Sequence, residues 1–168
     1  EQPVAATDDQ ALRDHAILVG YGRVGGTIGE ALAGAGVPYV VIEQNRELFE
    51  SLRDRGIPAV YGNASRRVVL ELARPVRARL LIVTAPDPYQ ARAVVEQARR
   101  LHASIVTVVR THSDEERAYL ERAGADLAVV GERELARTMA RYALEVVGSQ
   151  LAEVRPTPLR ERQLRKEG

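Results

Sequence analysis

The chain is predicted to fold as an α/β domain: a Rossmann-like, doubly wound sheet of six parallel strands in the order 3-2-1-4-5-6, followed by a C-terminal helix. Three observations predict it. Short apolar runs recur along the 168 residues, each followed by a segment with helical spacing. Several of these runs are continuous β-branched or leucine stretches rather than alternating ones, as in strands buried on both faces. The first run opens into Gly20, Gly22 and Gly25, spaced G-x-G-x-x-G between a strand and a helix.

The elements follow in order. Residues 1–14, EQPVAATDDQALRD, are polar and small and read as a linker. AILVG (16–20) is the first strand, and Val24, Ile28, Ala31, Leu32 and Ala35 form the stripe of the helix after it. Gly36 and Gly56 sit where the first two helices end. YVVIE (39–43) and AVYG (59–62) are the second and third strands, and RLLIVTA (79–85) is the fourth. Asp87-Pro88-Tyr89-Gln90 then offers an N-cap, a proline at the first helical position and a Gln three residues on. IVTVVR (105–110) is the fifth strand, Ser113 to Glu116 repeats the capping-box logic, and LAVVG (127–131) is the sixth strand. In the last helix Leu135, Met139, Tyr142, Ala143 and Val146 recur on one face. From the residues alone, that face either docks on its own sheet or meets a second protomer. Residues 149–168 end in RPTPLRERQLRKEG, with two prolines and a charge cluster, and read as a flexible tail.

Composition narrows the function classes. Hydrophobic residues at 45% and charged residues at 28% describe a soluble globular domain with a real core. Lys plus Arg at 24 against Asp plus Glu at 23 leaves a net charge of +1, so no bulk field recruits nucleic acid or anionic lipid. The basic residues are nearly all arginine, suited to bidentate pairing with carboxylate or phosphate. The absence of cysteine excludes disulfides, thiolate zinc sites and cysteine nucleophiles. Three scattered histidines form no metal-site spacing, so no metal is expected. No apolar stretch approaches the ~20 residues of a membrane-spanning helix, and no signal-peptide pattern opens the chain. It begins at Glu1 rather than Met, which suits an excised piece of something longer.

The glycine turn has a chemical logic. Gly20 permits the tight turn, Gly22 lets backbone approach a phosphate, and Gly25 lets the helix pack on the sheet. The following helix N-terminus then offers N–H groups and a positive dipole end to an anion. Tyr21, Arg23 and Val24 complete this phosphate loop. Arg23 either reaches a phosphate or lies on the helix surface. Glu43 ends the second strand about 20 residues on, where a carboxylate meets ribose hydroxyls and repels a 2′-phosphate. Gln44 follows it. Gly62-Asn63-Ala64 turns at the carboxyl edge of the third strand, where Asn63 can donate and accept against an adenine edge. Its plainer role is to make the turn. Thr84 and Ala85 end the fourth strand at the switch point, covering base or ribose, more through backbone than side chain. Arg110 ends the fifth strand on the same side. His112 belongs to the loop before the next helix, and His15 and His102 read as surface residues at element ends.

Taken with VRTHSDEE, YLERAGAD and VGERELARTMARYAL, these motifs make the chain from about His15 to Gly148 resemble a known family. It is the RCK or KTN (TrkA-N) nucleotide-binding regulatory domain of potassium channels and transporters. The likeness is strongest to the cytoplasmic C-terminal domain of Kef-type monovalent cation:proton antiporters. The resemblance implies an adenine-nucleotide sensor at 15–148 that binds NAD(H) or AMP as a regulatory ligand rather than a redox cofactor. It implies a homodimer through the helix at 132–148 and a membrane transport domain in the same polypeptide, on the cytoplasmic face of the inner membrane. Carried over, Gly20 to Gly25 form the phosphate loop, Glu43 and Gln44 stand at the ribose, and Asn63 and Ala64 flank the adenine. Thr84 and Ala85 close the pocket, and Arg110 stands near the phosphates or the second nucleoside. Two departures stand out. The family's usual GDA is GNA here, and the long acidic extension of glutathione-regulated members is missing after Ala143.

Catalysis is not expected. Hydride transfer needs a positioned His, Lys or Tyr and a second substrate pocket, yet the lysine is confined to the tail and no histidine pairs with a carboxylate in a credible constellation. The G-x-S-x-G elbow, the P-loop lysine and the Tyr-x-x-x-Lys pair are all missing. The alternative is a fragment of an NAD-dependent oxidoreductase. A channel-gating octameric ring is a third reading, disfavoured by the lack of a second regulatory subdomain after Gly148.

Overall fold

A computed structural model describes residues 5–6, 12–84 and 87–153. The chain divides into two units, Glu1–Gly131 and Glu132–Gly168. The strands are β1 (Ala5–Ala6), β2 (His15–Val19), β3 (Tyr39–Glu43), β4 (Ala59–Tyr61), β5 (Ala78–Val83), β6 (Val106–Thr111) and β7 (Leu127–Val130). The helices are α1 (Arg23–Gly34), α2 (Arg46–Asp54), α3 (Arg67–Leu72), α4 (Pro88–Leu101), α5 (Asp114–Arg122) and α6 (Gly131–Glu153), with a 3-10 turn at Pro75–Arg77.

The sheet order is β1-β4-β3-β2-β5-β6-β7. From β4 to β7 the six strands are parallel and in the expected 3-2-1-4-5-6 order. The segment expected to be only a linker, 1–14, does more. Ala5 and Ala6 pair antiparallel with Val60 and Ala59, and Leu12 is buried. The pairing occupies a sheet edge whose N–H and C=O groups would otherwise face solvent.

The buried runs read as expected because both faces are covered. On one face Ile17, Val19, Val40, Ile42 and Val60 pack with Val69 and Leu70 of α3, Val94 and Val95 of α4, and Leu120 of α5. On the other, Leu18, Val41 and Ile82 pack with Phe49 and Leu52 of α2 and with Tyr21. Burying one such Leu, Ile or Phe side chain contributes about 1.5–3 kcal/mol.

The start and stop signals act as read. Asn45, Asp87 and Ser113 each accept a backbone N–H at the start of α2, α4 and α5. In α5 the Glu116 carboxylate reaches back to the His112 N–H at 2.8 Å, one residue before the cap. Gly36 and Gly56, with φ of 69° and 71°, end α1 and α2 in left-handed turns. The next residues, Val37 and Ile57, then donate back to Leu32 and Leu52 at 2.9 Å each.

The second unit is the helix α6 from Glu132 onward. Leu135, Met139 and Tyr142 are 62%, 65% and 71% exposed. The helix continues through Glu153, beyond the expected boundary at Gly148. One interior glycine costs only about 1 kcal/mol relative to alanine, too little to end a helix. The rest of the expected tail, 154–168, lies outside the described residues. Among the described residues no helix is long and apolar enough to cross a membrane.

Candidate nucleotide site

At the carboxyl edge of the parallel strands, where β2 and β5 diverge, lies a cavity of about 480 Å3. This is the topological switch point of the sheet, where ligands of doubly wound folds bind. Gly20, Tyr21, Gly22, Arg23, Val24 and Gly25 line one wall. Glu43, Gln44, Asn63, Ala64, Thr84 and Arg110 line the rest. Twelve residues from five separate stretches of sequence thus face one volume. Ala85 lies outside the described residues.

The three glycines do different work. Gly20 holds φ at 88°, which a side chain resists. A Cβ at Gly25 would stand 2.0 Å from the Gly20 carbonyl oxygen, so α1 can approach the loop only through a glycine. A Cβ at Gly22 would meet nothing within 4 Å and its φ is an ordinary −71°, so the folded chain alone tolerates a side chain there. Gly22 borders the cavity, and its missing side chain leaves open space there. Gly22 is also the N-cap of α1 and supplies no side-chain hydrogen bond, unlike the caps of α2, α4 and α5. The twelve-residue helix therefore presents its positive end to the cavity without a side-chain cap.

Glu43 is 6% exposed, a carboxylate nearly removed from water. Its Oε2 accepts the Tyr21 N–H and its Oε1 accepts the Asn45 N–H, both at 2.8 Å. Two of roughly four acceptor positions on the carboxylate are thereby used, and the remainder suit a vicinal diol. The Tyr21 backbone belongs to the loop, but its ring does not serve the cavity. The ring is buried against α1, so a Cβ at Gly29 would lie 2.7 Å from it, and the Arg55 guanidinium sits 5.8 Å from its centroid.

Two expected roles become more specific. The Asn63 Oδ1 accepts the Ser65 N–H at 2.9 Å, making the turn after β4. Its acceptor is committed, and the amide NH2 is what it can offer a base. The Thr84 hydroxyl donates to the carbonyls of Val19 and Gly20 at 2.9 and 3.2 Å. Thr84 therefore acts on the glycine loop, tying the ends of β2 and β5 together, rather than covering a ligand with its side chain. Arg110 lines the cavity from β6, and Arg23 lines it from the start of α1.

Sequence reasoning missed Leu48, Gln90, Ala91 and Val94, which also line the cavity. The last three lie in the first two turns of α4, which leaves the sheet at the switch point. Their position was implied by the topology, although Gln90 was read only as a capping residue. His112 is not among the lining residues. His15, expected at the surface, is fully buried at the start of β2, where its Nε2 lies 2.8 Å from the Ala73 carbonyl that follows α3.

Together the glycine loop, the uncapped helix start and the buried acid at the end of β3 define a Rossmann-type domain with a cavity at its switch point. Residues 16–131 match the TrkA-N domain, and the chain belongs to that family. It is 46% identical over 126 residues to the putative cation/proton antiporter YbaL of Escherichia coli K12, covering 75% of this chain and 23% of that protein. The chain thus spans about a quarter or less of the length of such relatives, 23%, 19% and 24% of three of them. The crystal structure of the TrkA-N domain of inner membrane protein YbaL from E. coli superposes with a TM-score of 0.75 at 44% identity, covering 78% of this chain and 97% of that one. A Shewanella denitrificans Kef C-terminal domain in AMP-bound form superposes with a TM-score of 0.70 at 25% identity, covering 83% and 85%.

Proposed function

We propose that this chain is the regulatory domain of a Kef-type monovalent cation:proton antiporter, binding an adenine nucleotide (AMP or NAD(H)) as a signal and not as a redox reagent. The observation that carries the reading is the buried Glu43 carboxylate, held by the Tyr21 N–H beside a glycine loop whose helix start has no side-chain cap. That pairing suits a ribose diol next to a phosphate. The AMP-bound state of the Kef relative supports the same ligand class. Glu43 disfavours a 2′-phosphate, because a second anion there would face a carboxylate shielded from water.

A sensing role is supported by the character of the lining. Its polar side chains are Arg23, Glu43, Gln44, Asn63, Thr84, Gln90 and Arg110, a set that binds and orients. Among the described lining residues there is neither histidine nor lysine, and the Tyr21 ring packs in the core, which supports binding over proton transfer. A sensor requires the nucleotide to bind two conformations unequally. The second conformation is assigned to a homodimer through 132–148, supported by the exposed Leu135, Met139 and Tyr142 stripe on α6. The membrane transport unit of the same polypeptide would read that change at the cytoplasmic face.

Calorimetry with AMP, NAD and NADH tests the ligand, and light scattering at tens of micromolar tests the dimer. Saturable binding without turnover of nicotinamide absorbance is expected. No binding of any of the three overturns the reading, and turnover with a small carbonyl substrate would favour the oxidoreductase alternative.

A further inference from the structure

At the opposite edge of the sheet, where β2, β5 and β6 begin, lies a second cavity of about 550 Å3. Arg13, Arg77 and Arg79 line it with Asp14, His102 and Ser104. Three arginines thus line one cavity with a single acidic residue, in a chain whose net charge is only +1.

The concentration is unusual for this protein. Several arginines elsewhere are paired with neighbouring acids, as in Arg46–Glu50, Arg67–Glu71, Arg92–Glu96 and Arg117–Glu121. Among the described residues Arg13, Arg77 and Arg79 form no such ion pair. None of the three lies in the last turn of an α-helix, where a cation would answer the helix dipole. Like charges gathered without a counter-charge repel one another, and an oxyanion relieves that repulsion.

A hydrogen-bonded chain orients the His102 ring in the cavity wall. His102 Nδ1 lies 3.0 Å from the Pro75 carbonyl, which can only accept, so that nitrogen carries the proton. Its Nε2 therefore accepts from the Ser104 hydroxyl at 3.0 Å. This chain fixes the His102 ring beside the arginines. Val76 and Val106, 66% and 49% exposed, form an apolar lip.

We propose that this basal cavity is an anion site for a phosphate group, supplied either by a free phosphate compound or by the headgroup of an anionic phospholipid. It is separate from the nucleotide cavity at the carboxyl edge and does not depend on the function proposed for that cavity.

The test uses the whole chain and two probes. Inorganic pyrophosphate is titrated by calorimetry in the presence of saturating AMP, so that the carboxyl-edge cavity is not the reporter. Vesicles of equal phosphatidylglycerol and phosphatidylcholine are compared with pure phosphatidylcholine by co-sedimentation. The proposal expects saturable binding in at least one arm, weakened about tenfold or more by Arg77→Gln with Arg79→Gln. Binding of pyrophosphate alone identifies a soluble ligand, and binding of charged vesicles alone identifies the lipid headgroup. Arg13→Gln, read separately, keeps the test decisive if the double variant does not fold. Absence of binding in both arms overturns the proposal, as does binding that these substitutions leave unchanged.

Discussion

The Glu43 carboxylate accepts the Tyr21 backbone N–H at 2.8 Å across 22 positions of sequence, tying the end of β3 to the glycine loop after β2. Its other oxygen holds the Asn45 N–H at the start of α2. A single buried side chain therefore sets the loop geometry and presents acceptors to the same cavity.

Replacing Glu43 should accordingly act twice. Glu43→Gln keeps the shape but removes the charge and leaves one backbone N–H facing an NH2 group. Nucleotide affinity should fall by about tenfold to a hundredfold, the range of a charge-assisted hydrogen bond. The melting temperature should fall as well. Calorimetry with AMP and thermal unfolding measure the two effects on one sample, and unchanged affinity would remove Glu43 from the site.

The glycines at 22 and 25 should separate binding from folding. Gly25→Ala drives a Cβ into the Gly20 carbonyl and should destabilise the domain by about 3 kcal/mol or more. Gly22→Ala meets open space at an allowed φ, so its melting temperature should stay close to the parent while nucleotide binding is lost. Urea unfolding and calorimetry on both variants decide the matter. Equal loss of stability in the two would contradict the geometry.

Thr84 should behave as a positioning residue. Thr84→Val removes the hydroxyl that donates to the Val19 and Gly20 carbonyls and should cost about 1–2 kcal/mol of stability, with a several-fold weaker nucleotide affinity. Thr84→Ser restores the donor and should recover most of both. A valine variant with parental affinity would assign Thr84 to packing alone.

His15 makes stability depend on pH. It is fully buried, its Nε2 lies 2.8 Å from the Ala73 carbonyl and therefore carries the proton, and its Nδ1 has no partner. Burial lowers its pKa below the ordinary 6.5, against the smaller opposing pulls of the Ala73 carbonyl and Asp14. Above pH 6.5 the ring is neutral in folded and unfolded chains alike, and stability does not depend on it. Below that pH the unfolded chain takes up a proton that the folded chain refuses, so stability falls until the lowered folded pKa is passed. The parent should lose more melting temperature between pH 7 and pH 5 than His15→Gln does. Parallel curves for the two would show that His15 does not titrate against folding.

Much of the fold was legible because its signals are local. A strand buried on both faces must be apolar throughout, and Asn45, Asp87, Ser113, Gly36 and Gly56 act within a few residues of themselves. The candidate site was legible in outline for a related reason: in a parallel sheet every strand end faces the same edge, so Gly20, Glu43, Asn63, Thr84 and Arg110 had to gather there. The edge strand at Ala5–Ala6 was not, since two alanines carry no strand signature and are ordered only by the free edge of β4. Burial of His15 was hidden likewise, because its ring meets the Ala73 carbonyl, 58 positions away in sequence.

The sequence by itself determined the architecture, the strand order and the edge at which a ligand would sit, since these follow from periodicity, caps and chain direction. Only the tertiary structure decided how each side chain is used. Asn63 spends its oxygen on a turn, Thr84 spends its hydroxyl on the Gly20 loop, and the Tyr21 ring turns into the core while its N–H goes to Glu43. A hydrogen-bonding group can serve only the partners within about 3 Å of it, and those partners arrive from residues up to 65 positions away, as Val19 does for Thr84.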